Sequence, residues 1–282
     1  MNGFDARLVY NTASQGYNAA RVDAFPPSLT LRITAALDLA PGDRVLDVAC
    51  GTGEIALCAA QKRIPGVHIT GVDIAEDMLT IARHRAMQHG LTDIMFEKAD
   101  MERLPYPDAS FNAIACGFAV FFAHDITKAI ASFWRLLQPG GRLVLATLGR
   151  NVFAPASGMF LDLAQEYVPG LDVCLPWRAT EDITALTALC TAAGVTDPAV
   201  RHEEYASRLA GPSDWWPLIA GSGFRSVVMK LSDDTVARIR HQQDRWMHDQ
   251  QVTTLTSGIN FITATKPQGE TRRALSALQE PH

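Results

Sequence analysis

The stretch Val45-Leu46-Asp47-Val48-Ala49-Cys50-Gly51-Thr52-Gly53-Glu54 carries the strongest structural signal in the chain. It reads as a short buried strand, then a turn with two glycines, then the start of a helix. Because Gly51 and Gly53 lack a side chain, the backbone there can turn sharply and approach a ligand closely. The stretch therefore predicts an α/β fold with a ligand bound where the strand ends.

Strand and helix patterns alternate on both sides of this turn. Strands are predicted at residues 44–48, 69–74, 94–98, 111–115 and 142–147, and helices after Gly53, at 75–89 and at 126–137. Two further β-rich runs, 227–229 and 259–264, flank a helix over 233–247 and are predicted to complete the sheet. The predicted fold class is α/β: a doubly wound, mostly parallel seven-stranded sheet with helices on both faces and a helical lid or cap.

The chain is predicted to have five parts. These are an N-terminal helical lid (1–40), a ligand-binding core (41–150), a cap or substrate-binding insertion (151–215), the C-terminal part of the core sheet (216–266) and a flexible tail (267–282).

Composition excludes several classes of protein. With 282 residues, of which 48% are apolar and 20% charged, the chain is neither disordered nor a disulfide scaffold. The net charge is −5 and the basic residues form only short runs, so no nucleic-acid partner is expected. The longest apolar run, 114–123, is far shorter than the roughly 20 residues of a membrane span.

The cysteines and the first residues bear on location. The five cysteines are an odd number without a close Cys-x-x-Cys pair, which favours reduced thiols and predicts neither disulfides nor a metal site. The first twenty residues contain no basic stretch followed by an apolar core, as a secretion signal would. A cytoplasmic protein is therefore expected.

Asp73 extends the predicted site. It lies 22 residues after Gly51, at the end of the second predicted strand. A carboxylate there can accept hydrogen bonds from both hydroxyls of a ribose. The glycine turn and Asp73 together describe a nucleoside site.

Two classes of nucleoside compete for this site. Gly51-x-Gly53-x-x-Ala56 formally matches the dinucleotide fingerprint, in which a helix N-terminus holds a pyrophosphate. However, Asp47 and Glu54 would lie beside that anion, each costing about 1 kcal/mol or more at a few ångströms. S-adenosylmethionine, with its cationic sulfonium and ammonium groups, suits acidic surroundings better.

Four motifs together resemble the class I S-adenosylmethionine-dependent methyltransferases, which have a Rossmann-like fold. They are Asp47-x-Ala49-Cys50-Gly51-Thr52-Gly53, Asp73 after the second strand, Ala99-Asp100-Met101-Glu102-Arg103-Leu104-Pro105, and Arg135-Leu136-Leu137-Gln138-Pro139-Gly140-Gly141-Arg142. Within that superfamily the chain is most similar to the small-molecule methyltransferases of the ubiquinone/menaquinone-biosynthesis type. The resemblance is specific over about residues 40–150 and weaker through 215–265.

The resemblance implies S-adenosylmethionine as cofactor and a role for each matching residue. Asp47, Gly51 and Gly53 would hold the methionine part, Asp73 with Ile74 the ribose, and Asp100 with Met101 the adenine. Further predicted cofactor contacts are Tyr17, Ala49, Met78, Cys116 and Phe118, and predicted substrate contacts are Tyr10, Phe121, Phe122, Trp177 and Trp216.

The chemistry at the acceptor stays open at this point. His124 is the candidate catalytic proton acceptor, although a histidine at a helix start is commonly half-exposed, and each aromatic residue is equally well explained by core packing. The predicted activity is methyl transfer to an O, N or C atom of a hydrophobic or aromatic small molecule, in secondary-metabolite or quinone-type biosynthesis. A nicotinamide-dependent oxidoreductase and a non-catalytic nucleoside-binding partner protein are the alternatives, and a homodimer is left open.

Overall fold

In the computed structural model, which describes residues 27–268, seven strands form one sheet. The order across the sheet is β3-β2-β1-β4-β5-β7-β6. β7 runs antiparallel to β5 and β6, and every other neighbouring pair is parallel. This confirms the mostly parallel seven-stranded sheet. The strands are β1 Arg44–Val48, β2 His68–Asp73, β3 Ile94–Lys98, β4 Phe111–Gly117, β5 Leu137–Leu148, β6 Ala199–Arg208 and β7 Thr254–Thr265.

Helices cover both faces of the sheet, as predicted. Val45 packs into one apolar core cluster, whereas Leu46 and Val48 pack into a second cluster on the other face. The α-helices of the described part are α1 Pro27–Ala36, α2 Glu54–Gln61, α3 Glu76–Gln88, α4 Ile126–Leu136, α5 Ala156–Tyr167, α6 Ile183–Ala192, α7 Trp215–Gly221, α8 Arg225–Val228 and α9 Asp233–Asp249. Within residues 27–268, none of these is both long and apolar enough to cross a membrane.

The position of β1 fixes where a ligand can bind. Asp47 near its carboxyl end pairs in register with Gly71 of β2 on one side and with Ala115 of β4 on the other. From β1 the chain winds outward through β2 and β3, and from β4 it winds the other way. The cleft between the ends of β1 and β4 is therefore the switch point at which open α/β sheets bind ligands.

The predicted last pair of strands is half right. Residues 259–264 lie within β7, but 227–229 do not form a strand, because Val227 and Val228 belong to helix α8. Their apolar character reflects burial of Val227 against the core. The sixth strand is β6, which the polar run at 201–204 conceals. β6 pairs with one neighbour only, and half or more of its side chains are exposed, so it needs no apolar pattern.

A buried amide connects this end of the sheet to the segment before α6. Asn260 of β7 is fully buried, and its Nδ2 donates to the carbonyl oxygens of Thr180 and Glu181, each at 3.0 Å. Its Oδ1 lies 2.7 Å from Nδ1 of His202 on β6. The network holds the short 3-10 helix Pro176–Thr180, which carries Trp177, against the sheet.

We expect Asn260→Ala to lower the free energy of unfolding by about 1–3 kcal/mol, since it removes the two hydrogen bonds that Nδ2 of Asn260 donates to the carbonyl oxygens of Thr180 and Glu181. Urea unfolding followed by circular dichroism measures the change. Asn112→Ala is the control, because Asn112 also makes two side-chain hydrogen bonds but is only partly buried, so water can replace it. Equal losses in both variants would contradict this account of the network.

Candidate functional site

The turn after β1 and the end of β2 are joined by one carboxylate. Oδ2 of Asp73 accepts a hydrogen bond from the backbone N–H of Gly51 at 2.8 Å, and Oδ1 accepts one from that of Ala75 at 2.8 Å. The backbone N–H of Cys50 also donates to the carbonyl oxygen of Val72 at 2.9 Å. Asp73 therefore shapes the glycine turn as well as standing at the predicted ribose position.

The turn itself needs small residues in left-handed conformations. The φ angles of Ala49, Gly51 and Gly53 are 53°, 55° and 84°. A Cβ atom on Gly53 would lie 3.1 Å from the ring of Phe96 and 3.2 Å from Cβ of Ala82. A larger residue at 53 would therefore push the turn away from α3 and change the shape of the predicted cofactor site.

Asp47 supplies a negative charge from below the turn. Its residue is only 1% exposed, and its Oδ2 accepts a hydrogen bond from the backbone N–H of Ala56, in the first turn of α2, at 3.0 Å. A buried carboxylate requires such a partner, and the amino end of a helix also stabilises its charge.

The negative potential of the site reaches two buried thiols. Burial raises the pKa of Cys50, and the charges of Asp47 and Asp73 raise it further. Burial and the charge of Asp47 likewise raise the pKa of Cys116 at the end of β4. The ends of β1 and β4 therefore share one acidic environment.

Glu54 contributes less to this potential than the sequence suggests. Arg85 of α3 forms an ion pair with Glu54 and donates hydrogen bonds to the carbonyl oxygen and Oγ1 of Thr52, at 3.0 and 3.2 Å. Asp47 and Asp73 are therefore the charges that favour a cationic ligand here. No sequence pattern indicates Arg85, because it lies 31 residues after its partner Glu54.

The predicted adenine residues lie beside Asp73. The backbone N–H of Ala99 donates to the carbonyl oxygen of Asp73 at 3.0 Å, and Asp100 follows directly. Oδ1 of Asp100 accepts a hydrogen bond from the backbone N–H of Glu102 at 2.9 Å. Ile74 and Met101 are partly buried here, whereas Met78 is buried in the core on α3.

Aromatic rings gather beyond the end of β4. The rings of Phe121 and Phe122 have centroids 4.6 Å apart, and Trp177 lies 6.4 Å from Phe121. Phe118 begins this segment with a φ of 58°, its N–H donating to the carbonyl oxygen of Ala146 at 2.7 Å. The structure thus brings together three of the predicted substrate residues from two separate parts of the chain.

Trp216 lies further out. It contacts Trp215 and Phe160, with centroids 5.4 and 6.5 Å away, and is connected to Trp177 through Phe160 and Phe224. The sequence did not single out Phe160 or Phe224, although both are fully buried in this cluster. Tyr10 and Tyr17 lie outside the described residues.

His124 occupies an exposed position next to a residue that the sequence reasoning missed. Its side chain is 89% exposed, and its Nδ1 lies 2.9 Å from Oε2 of Glu102. Asp125, which follows, accepts a hydrogen bond from the N–H of Lys128 and caps α4, as its type predicts. Glu102 belongs to the motif at residues 99–105. His124 lies 22 residues further along the chain, so no local sequence pattern indicates that the two side chains meet.

Comparison with known proteins identifies the family. A family model described as "Methyltransferase domain" matches residues 45–141. The ubiquinone/menaquinone biosynthesis C-methyltransferase UbiE of Methylobacterium nodulans is 33% identical over 196 residues, which cover 70% of this chain and 71% of that protein. The chain belongs to this family of class I S-adenosylmethionine-dependent methyltransferases. The demethylmenaquinone methyltransferase of Deinococcus radiodurans is 48% identical over 117 residues, covering 42% of this chain and 46% of that protein.

The chain spans about half the length of the first curated relatives that it matches. Among solved structures, the [4+2]-cyclase SpnF superimposes with a TM-score of 0.63 at 22% identity, covering 93% of this chain and 95% of that one. That likeness shows the fold, and it shows that this fold also occurs in a protein described as a cyclase.

The residues present fit the cofactor of this methyltransferase family, S-adenosylmethionine. Carboxylates stand at or just beyond the ends of three neighbouring strands: Asp47 in β1, Asp73 in β2 and Asp100 after β3. Their oxygens are hydrogen-bond acceptors, which suit ribose hydroxyls, an adenine amino group and cationic sulfur and nitrogen. The sequence alone left a nicotinamide-dependent oxidoreductase as an alternative. Because the chain belongs to the methyltransferase family, that alternative is excluded.

We predict that Arg85→Met weakens binding of S-adenosylhomocysteine about tenfold, a loss of about 1.4 kcal/mol, because the turn loses the two hydrogen bonds to Thr52 that hold its shape. Isothermal titration calorimetry measures the affinity. Arg238→Met is the control, since it removes an exposed ion pair with Asp234 on α9. An unchanged affinity in Arg85→Met would show that the turn keeps its shape without the guanidinium.

The cysteines provide a second prediction. At pH 8 a maleimide should label Cys58 and Cys174, which are partly exposed, and leave Cys50 and Cys116 unmodified. The latter two are buried and their raised pKa values keep them protonated at that pH, whereas the thiolate is the reactive form. Peptide mass spectrometry reads the pattern. Rapid labelling of Cys50 or Cys116 in the folded protein would mean that the acidic environment is open to solvent.

Proposed function

We propose that this protein transfers a methyl group from S-adenosylmethionine to a hydrophobic or aromatic small molecule. The observation that carries the proposal is the placement of two chemically different surfaces at one edge of the sheet. The carboxylates of Asp47, Asp73 and Asp100 stand at the ends of β1–β3. Phe121 and Phe122 follow β4, and Trp177 packs against Phe121 from the 3-10 helix Pro176–Thr180. The acidic surface suits the cofactor, and the aromatic surface suits the acceptor.

Each part of the cofactor has a proposed holder. Asp47 and the turn at Gly51 and Gly53 hold the methionine part, Asp73 with Ile74 the ribose, and Asp100 with Met101 the adenine. When bound, S-adenosylmethionine supplies an electrophilic methyl group on a sulfonium sulfur. The negative charges of Asp47 and Asp73 favour that cation over the neutral-sulfur product at the same place.

The chain's own contribution is alignment and exclusion of water. Phe121 and Trp177 are buried, so an acceptor ring resting against them would lie in a dry environment next to the end of β4. Holding two reactants in line can supply several kcal/mol of the barrier. Aromatic faces also stabilise a positive charge that develops on the acceptor, by about 0.5–2 kcal/mol.

The relatives support the class of acceptor. Their names describe methylation of demethylmenaquinone and, in Amycolatopsis mediterranei, of 27-O-demethylrifamycin SV. Both names fit a bulky acceptor that would be bound by aromatic side chains. We therefore propose a bulky hydrophobic or aromatic acceptor of the quinone or secondary-metabolite type, methylated on O, N or C, and no nucleic-acid partner, consistent with the net charge of −5.

We also propose a cytoplasmic location. All five cysteines are free thiols, and two of them border the proposed cofactor site, as expected of a reducing compartment.

Cofactor binding tests the proposal first. S-adenosylhomocysteine should raise the melting temperature and NADH should not. Asp73→Ala should weaken binding of S-adenosylhomocysteine by about 10- to 100-fold, because hydrogen bonds to a charged group contribute about 1.5–3 kcal/mol. Asp77→Ala, an exposed carboxylate in the first turn of α3, is the control and should bind normally.

Turnover tests it second. Mass spectrometry should detect S-adenosylhomocysteine and a methylated product from at least one member of a panel of quinols, hydroxyarenes and arylamines. Binding of the cofactor without turnover of any acceptor would favour the alternative, a non-catalytic nucleoside-binding protein. Absence of any binding would contradict the proposal itself.

A further inference from the structure

Glu102 contacts both the proposed adenine loop and the proposed acceptor segment. Its backbone N–H donates to Oδ1 of Asp100 at 2.9 Å. Its Oε1 accepts a hydrogen bond from the backbone N–H of Asp125 at 3.2 Å, and its Oε2 lies 2.9 Å from Nδ1 of His124. One residue thus holds Asp100 through its main chain and the start of α4 through its side chain.

These two segments leave the sheet far apart. The adenine loop follows β3, and the aromatic segment that leads to His124 follows β4, yet β2 and β1 separate these strands in the sheet. Neighbouring strands are about 4.8 Å apart, so the two strand ends are about 14 Å apart. The contacts of Glu102 therefore connect two segments that leave the sheet at well-separated strand ends.

The exposure of the two partners separates their roles. The side chain of His124 is 89% exposed, whereas that of Glu102 is 23% exposed. Burial raises the pKa of Glu102, but hydrogen bonds from His124 and from the N–H of Asp125 outweigh it, and the net shift is downward. Glu102 is therefore an ionised acceptor at neutral pH, and His124 donates to it from the outer surface.

We propose that Glu102 is a positioning residue that fixes the adenine loop relative to the acceptor segment, and that His124 is its hydrogen-bond donor and does not accept a proton in the reaction. The inference rests on the proposed function and deepens it. It replaces the catalytic role that the sequence suggested for His124.

The first test compares two ligands that share adenine. Glu102→Ala should weaken binding of adenosine and of S-adenosylhomocysteine by the same factor, about tenfold, because only the adenine loop is displaced. Glu102→Gln keeps one acceptor oxygen and should recover part of the loss. The control is Glu76→Gln, which alters an exposed carboxylate paired with Arg83 on α3 and should change neither affinity.

The second test measures whether the adenine loop and the acceptor segment are coupled. Saturating adenosine should change the fluorescence of Trp177, which contacts Phe121, with Trp177→Phe identifying its share of the signal. In Glu102→Ala the change at saturation should be strongly reduced. An undiminished change, or affinities equal to those of the unaltered protein, would overturn the positioning role. A merely destabilising substitution would lower the melting temperature without separating the two sides in this way.

Two substitutions of His124 distinguish a hydrogen-bond donor from a proton acceptor. His124→Asn retains a donor near the position of Nδ1 but cannot accept a proton, and it should keep both affinities and, with an identified acceptor, the turnover number and its pH profile. His124→Leu removes the donor and should resemble Glu102→Ala. Loss of turnover in His124→Asn at unchanged affinity would show that His124 is a proton acceptor after all. If the unaltered protein binds neither ligand, the proposed function fails before this inference is reached.

Discussion

The site depends on the carboxylate of Asp73 receiving the backbone N–H groups of Gly51 and Ala75, each at 2.8 Å. These two hydrogen bonds tie the turn after β1 to the start of α3 across the ends of two adjacent parallel strands. They hold the glycine turn in its left-handed conformation and bring an acidic residue from each strand to one place. A carboxylate that organises the backbone is also preorganised for a ligand, because its position is already fixed when the ligand arrives.

The parts of the fold that follow from local physics could be read from the sequence. β1, β2 and β4 are buried on both faces, so they appear as short apolar runs ending at glycines or acidic residues. The positions of Asp47, Asp73 and Asp100 follow from the same strand ends, since parallel strands present their carboxyl ends at one edge. β6 could not be read in this way, because an edge strand with exposed side chains has no apolar alternation, and the apolar pair Val227-Val228 mimicked a strand.

What the sequence could not provide are contacts between segments that are distant in the chain. Arg85 meets the glycine turn, and Glu102 meets His124, only because the sheet order brings their loops together. The aromatic group also depends on contacts between distant segments. Phe121 after β4 packs against Trp177, and Asn260 of β7 holds the helix that carries Trp177 by donating to the Thr180 carbonyl. Composition predicts that such rings are buried, but topology decides which of them meet. The acceptor side of the site is therefore less readable than the cofactor side.

A crystal structure of the complex with S-adenosylhomocysteine would show whether Asp73 both organises the turn and binds the ligand. We expect ribose hydroxyls on the carboxylate of Asp73, adenine between Ile74 and Met101 with its amino group toward Asp100, and sulfur above the turn at Gly51, facing the aromatic segment. Adenine bound away from Met101, or a ligand whose ribose leaves Asp73 untouched, would contradict this expectation.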